Sequence, residues 1–227
     1  MNESLIINNG RKRQLFYLIT FSICTVTLVL YLSISKQHNL PFYRDNFELA
    51  VNVANDEILD FEGFDNINGD NLPIVPNIVH LLFLQETKIK FYQMINIFSI
   101  YLNHKPNYIY LHCDNCTFSG KYYEKLRNYK KLWEIVKIKQ IPYKETIFGV
   151  KYGWINHHRS DIWRLLILMN YGGIYLDNDV YIVNSLNKYL KYEMTVSWDS
   201  DKDGLGVQVL IAHRNARLLK SHYDSYR

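Results

Sequence analysis

The chain reads as an α/β protein built around a parallel sheet and carried behind an N-terminal hydrophobic span. Between residues 74 and 186, short apolar runs alternate with stretches of helical period. That is the pattern of βαβ units with right-handed crossovers. The composition is 48% hydrophobic and 15% aromatic with 21% charged, enough for a packed core, and it excludes disordered, collagen-like and low-complexity classes. Residues 15–34 (LFYLITFSICTVTLVLYLSI) carry no charge; as a helix they would be ~30 Å long, the thickness of a bilayer's hydrocarbon core.

Arg11, Lys12 and Arg13 stand immediately before that span, whereas Lys36, Arg44, Asp45 and Glu48 mix signs behind it. The positive-inside bias therefore puts the N-terminus in the cytosol, as in a single-pass type II membrane protein. The alternative is a cleaved signal peptide with Ser33 and Ser35 as its small residues; the apolar stretch exceeds the ~7–15 residues of a signal core. The chain then divides into a cytoplasmic tail (1–14), an anchor (15–34), a luminal stem (35–73) and a luminal α/β domain (74–227). The stem is assigned from its Asn- and Asp-rich composition and lack of sustained periodicity. With 26 basic against 22 acidic side chains, the net charge of +4 gives no case for nucleic acid.

Residues 78–84 (IVHLLFL) predict a strand buried on both faces. Phe91, Met94, Ile95, Phe98 and Leu102 fall at helical spacing, and Pro106 closes that helix. Residues 108–111 (YIYL) predict a second strand, 120–129 a helix, and 133–138 (WEIVKI) a third strand. Ser160 is a good N-cap for a helix whose apolar face is Ile162, Leu165, Leu166 and Met169. Asp161 would then lie in the first turn, favoured by the dipole, and Gly172-Gly173 would end the helix. Residues 174–176 predict a strand, 180–183 another, 194–198 and 207–213 two more, with a turn over 204–208 and a helix over 216–226.

Between the 174–176 and 180–183 strands stand Asp177-Asn178-Asp179. On an extended chain, side chains at i and i+2 point to one side, so the two carboxylates would crowd unless a hard cation sat with them. Such a cation can bind a diphosphate and neutralise the charge of a departing nucleotide. Alone, the same tripeptide is equally a turn decoration. Asp161 and Arg164 are one helical turn apart and read either as a surface ion pair or as two groups facing one ligand. His80 is either a pocket residue or a core histidine bonded to a carbonyl. His157 and His158 are solvated loop residues or phosphate neighbours at a helix start.

The segment SDIWRLLILMNYGGIYLDNDVYIVNSL resembles the DXD region of glycosyltransferase family 32, whose pattern runs S-D-x-x-R-x-x-x-L-x-x-x-G-G-x-Y-x-D-x-D. IVPNIVHLLF is similar to the first strand of that family. The resemblance implies a GT-A fold, a Rossmann-like nucleotide-sugar domain that uses Mn²⁺ or Mg²⁺. It implies metal binding by Asp179 and by Asp177 through the ion's water shell, and donor contacts from Asp161, Arg164, Tyr175 and Asp177. The implied activity is metal-dependent transfer of a hexose, from UDP-galactose or UDP-N-acetylglucosamine, to a glycan or glycolipid in the Golgi with retention of configuration. Family members continue for many tens of residues, so the resemblance also implies a C-terminally incomplete domain. The alternative is a non-catalytic or truncated luminal protein that binds nucleotide sugars. Trp198 and Gln208 are further candidates to touch the sugar.

Cys113 and Cys116 form a CxxC whose readings are a small-loop disulfide, a redox pair or half a zinc site. In a luminal domain the disulfide is favoured, and the Asn115-Cys116-Thr117 sequon offers Asn115 as a glycan acceptor.

Overall fold

The computed structural model describes residues 60–142, 146–151, 156–200 and 204–227. The tail, the 15–34 span and most of the stem lie outside the described residues. Among those described, no helix is long and apolar enough to cross a membrane.

Six strands form one sheet in the order β3-β2-β1-β6-β8-β7. Strands β1 (Ile78–Phe83), β2 (Tyr108–Cys113) and β3 (Val136–Gln140) run parallel, and β1 also pairs in parallel with β6 (Gly173–Leu176). On the far side of β6, β8 (Gly204–Ala212) and β7 (Met194–Ser200) form an antiparallel ribbon. A two-stranded hairpin of β4 (Thr146–Ile147) and β5 (Val150–Lys151) stands apart. The chain proceeds from β1 toward β2 and β3, then returns to the other side of β1 as β6. The order therefore reverses between β1 and β6, and ligands of open α/β sheets bind at the carboxyl ends of such a pair.

Alternation along β1 divides its side chains between two cores. Val79, Leu81 and Phe83 pack with Met94 and Ile97 of α1 (Phe91–Ser99), Leu126 of α2 (Lys121–Asn128) and Leu132 of α3 (Lys130–Ile135). Leu82 faces the opposite layer, with Trp163, Leu165 and Leu168 of α4 (Asn156–Tyr171) and Leu219 of α5 (Arg217–Asp224). Both faces of the central strands are thus covered, and β1 is buried throughout.

Several expectations need correction. Residues 130–135 form α3, and the third strand begins only at Val136; Leu132, fully buried, anchors that added helical turn. Helix α4 begins at Asn156, a turn before Ser160, so Ser160 is an interior residue and not its cap. Residues 180–183 form no strand, and residues 204–208 open β8 rather than making a turn. The last part of the supposed stem is packed on the domain: Phe61 is buried against Phe64 and His213, and the Asp70 N–H donates to the Lys191 carbonyl at 2.8 Å.

Gly172 and Gly173 have φ of +63° and +110°. Gly172 donates its N–H to the Leu168 carbonyl (2.7 Å) and stops α4, as a left-handed residue past a helix end does. At Gly173 an added Cβ would stand 2.7 Å from the Ile78 carbonyl oxygen. The pair is what lets α4 reverse and β6 lie directly against β1.

Candidate active site

β6 ends at Leu176, and Asp177 follows at the carboxyl edge of the β1/β6 switch point. Its N–H donates to the Gln208 carbonyl of β8 (2.9 Å), and its own carbonyl accepts from Val180 N–H (3.2 Å), which closes a turn over Asn178 and Asp179. The DND tripeptide is therefore a turn, not the extended chain the i, i+2 argument assumed. That spacing instead joins Tyr175 to Asp177: the Tyr175 hydroxyl donates to Asp177 Oδ1 at 2.9 Å.

Arg164 crosses from α4 to meet them. Its guanidinium lies 4.9 Å from the centre of the Tyr175 ring, with Nη2 2.9 Å from Asp161 Oδ1 and 3.6 Å from Asp177 Oδ1. Nη1 donates to the Val207 carbonyl (2.6 Å) and Nε to the Ser160 carbonyl (3.3 Å). The Arg164 side chain is 6% exposed, while Asp161 and Asp177 are about one-third exposed. The expected surface pair is thus a buried cation shared by two half-open carboxylates. Burial raises the pKa of Asp177, Arg164 opposes that rise, and the neighbouring carboxylates of Asp179 and Asp161 add to it. Burial also raises the Tyr175 phenol, keeping it a donor.

Tyr175 is 2% exposed. It stands behind the carboxylate and reaches the site through its hydroxyl. Asp179 is exposed at the turn. Asp177 and Asp179 supply hard oxygen donors, and among the described residues no cluster of three or more His, Cys, Asp or Glu could hold a metal alone. Such a pair fits a divalent ion of the Mg²⁺ or Mn²⁺ type, which takes one or two carboxylates and completes its shell with water and substrate phosphate.

The neighbouring strand ends are tied to the same rim. Arg159 of α4 is buried and meets Asp114 at 3.4 Å, and Asp114 Oδ1 accepts the Gln85 N–H (2.8 Å) just past β1. Cys113 and Cys116 are joined in a disulfide, with Cα atoms 5.2 Å apart, closing the loop after β2. Asn115 is exposed within that loop, its Oδ1 accepting from the Thr117 hydroxyl at 2.7 Å. His80 is a core residue: Nε2 lies 2.9 Å from the Gly172 carbonyl oxygen and Nδ1 3.0 Å from His112 Nε2. His158 is exposed in the first turn of α4, and the His157 side chain lies outside the described residues. Trp198, 66% exposed, pairs with Leu205 on the ribbon; Gln208 meets the site through its backbone.

Sequence reasoning missed Asn96 and Asn178. Asn96 Nδ2 donates to the Asp177 carbonyl (2.9 Å), and Asn178 Nδ2 donates to the Leu82 carbonyl (2.7 Å). Nothing in the local pattern marks Asn96, a lone polar residue between Ile95 and Ile97 on a helix.

The carboxylates gather at the switch point of an open α/β sheet, the place where ligands of such sheets bind. Residues 92–196 match the family described as the glycosyltransferase sugar-binding region containing a DXD motif, and Asp177-Asn178-Asp179 supplies that motif. Over that stretch the chain is similar to the sugar-binding region of DXD glycosyltransferases. It is 27% identical over 172 residues to glucan organizing enzyme 1 of Cryptococcus neoformans, an alignment covering 67% of this chain and 44% of that protein. The chain thus spans less than half the length of that relative. Among solved structures, the galactosyltransferase LgtC, in complex with donor and acceptor sugar analogues, aligns at a TM-score of 0.45 and 14% identity over 66% of each chain. The PaToxG glycosyltransferase aligns at 0.44 and 16% identity, over 66% of this chain and 59% of the other.

Proposed function

We propose that this protein is a Golgi type II membrane glycosyltransferase of the GT-A class. In this reading it transfers a hexose from a UDP-sugar, galactose or N-acetylglucosamine, to a glycan or glycolipid with retention of configuration. The observation that carries the reading is the Asp177–Asp179 turn at the β1/β6 switch point, backed by the buried Arg164 that binds Asp161 and Asp177 together. Mn²⁺ or Mg²⁺, held by Asp179 and Asp177, would neutralise the charge that develops on the departing diphosphate. The protein's own part is positional. Arg164 and the Tyr175 hydroxyl fix the Asp177 carboxylate in one orientation before any ligand arrives, so no reorganisation is needed at the moment of reaction. The uncharged 15–34 span and the basic residues before it support the anchor and its orientation.

The test is transfer and hydrolysis of a donor panel (UDP-galactose, UDP-N-acetylglucosamine, UDP-glucose, GDP-mannose) by the full chain, with Mn²⁺ and with chelator. Metal-dependent selection of one donor is expected. Asp179→Asn should lower turnover by about 10²-fold or more with the fold intact, given the loss of one of two charged ligands. Chelator-resistant turnover, or full activity of Asp179→Asn, would refute the metal role.

A further inference from the structure

Past Asp177, residues 178–186 leave the sheet without a strand partner, yet several backbone groups along 177–186 are engaged by side chains. The Asp177 carbonyl takes Asn96 Nδ2 at 2.9 Å. The Ile182 N–H reaches Ser99 Oγ at 3.1 Å, and the Ile182 carbonyl takes Asn103 Nδ2 at 2.6 Å. The Leu186 N–H reaches His104 Nδ1 at 3.2 Å. Side chains of α1 and of the π-turn that continues it (Ile100–His104) thus replace a β-ladder. On the other side of the DND turn, Asn178 does the same for β1. The last β1–β6 pair is His80 with Tyr175, and beyond it the Leu82 carbonyl receives the Asn178 amide at 2.7 Å.

These two asparagines are costly to keep. In each, the amide nitrogen must face a carbonyl, which can only accept, so the orientation of the group is fixed. The Oδ1 atoms of Asn96 and Asn178 are then buried with no donor among the described residues. An orphaned buried acceptor costs about as much as, or more than, one hydrogen bond returns; at Asn96 an apolar residue of similar shape would avoid that cost, because the Asp177 carbonyl keeps the Val180 N–H. Net stability therefore does not explain the half-satisfied amide of Asn96, and at Asn178 the bond to Leu82 returns no more than the orphaned Oδ1 costs. The geometry they impose explains them: Asp177 is held through its N–H by β8, through its carbonyl by α1, and through its carboxylate by Tyr175 and Arg164.

We infer that Asn96 and Asn178 are positioning residues that hold the DND turn against α1 and β1, and so set where Asp177 and Asp179 present their carboxylates to a divalent cation with its nucleoside diphosphate. The inference rests on the metal-dependent reading above. Neither residue touches the ligand; each acts through the turn.

The test is Mn²⁺ titration of the full chain by electron paramagnetic resonance, with UDP and with GDP, alongside thermal unfolding of the ligand-free protein. Asn96→Leu and Asn178→Ala are expected to lose about 10–100-fold in Mn²⁺ affinity, as lost outer-shell support does. The melting temperature of Asn96→Leu should hold or rise, because its orphan oxygen disappears along with the bond. A purely structural role would instead lower melting temperature and affinity together, and that result overturns the inference. Wild-type binding with unchanged affinity in both variants also overturns it, while leaving the metal reading intact. A flat wild-type titration with both nucleotides overturns the two together and is recognised by the wild-type trace alone.

Discussion

The histidine pair beneath the glycine turn makes the domain acid-sensitive in a way that can be worked through from its hydrogen bonds. The Gly172 carbonyl can only accept, so His80 carries its proton on Nε2; its Nδ1 then accepts from His112 Nε2–H. Protonating His80 would set a second N–H against that donor, in a site with no solvent. Burial accordingly lowers His80 from 6.5 to about 4, the Gly172 bond opposing, and drives His112 well below its usual value. The unfolded chain binds a proton that the folded protein refuses, so stability is lost as pH falls from near 6.5 toward the folded value. For His80 alone the loss is ~2 kcal/mol between about pH 7.5 and about pH 5, reaching ~3 kcal/mol near pH 4. The perturbation is His80→Gln, whose amide can still donate to Gly172 but does not titrate. Urea unfolding at the two pH values measures it: the variant should lose ~2 kcal/mol less than wild type over that interval, even though it starts less stable by ~1–3 kcal/mol through the unpaired His112 N–H. Equal losses in the two proteins would refute the tautomer assignment and the account of the buried pair.

Two other outcomes can be measured in the same way. Asp177 has its pKa raised, so the folded protein favours the protonated carboxyl and stability falls as pH rises through that raised value; Asp177→Asn should raise the urea midpoint at neutral pH, the gain fading below about pH 4, while metal-dependent transfer is lost. Gly173→Ala places a Cβ 2.7 Å from a carbonyl oxygen at φ +110°, so it should cost ~3 kcal/mol or more, against a smaller loss for Gly172→Ala, whose φ of +63° lies in the left-handed helical region.

The strands that sequence resolved are those with unbroken apolar runs. Residues 78–83 are buried at every position, and a run that short with β-branched residues at its start suits a strand covered on both faces. Misreadings fall where side chains do work that periodicity normally signals for the backbone. YIV at 181–183 has strand propensity, but its backbone is bonded by Ser99 and Asn103, partners far away in sequence. WEIVKI has β-branched residues, yet the amphipathic turn ending at Ile135 took its first half; propensity yields to burial of Leu132. Near the DND turn, the Asp161–Arg164 pairing was legible because helical spacing sets it, whereas the approach of Arg164 to Asp177 depends on how α4 lies over β6. Asn96 was not legible, because its importance depends on which carbonyl the crossover brings over α1.

Arg164 shows how far a motif residue's role can be read before its neighbours are placed. A guanidinium one turn after an aspartate, near a diphosphate site, invites the role of a phosphate clamp. Here Nε is directed to Ser160, Nη1 to Val207, and Nη2 to Asp161 and Asp177. A clamp needs donors that can turn toward the ligand, and at 6% exposure most of the five N–H groups are taken up inside the protein. Removing such a buried cation would leave the carboxylates of Asp161 and Asp177 without their shared counter-charge, a loss that their one-third exposure to solvent moderates. Arg164 therefore acts as the keystone of the carboxylate arrangement. In the metal-dependent reading the charge of a bound diphosphate would then fall to a cation at Asp177 and Asp179, and Mn²⁺ titration of the wild-type chain with UDP and with GDP tests that division of roles.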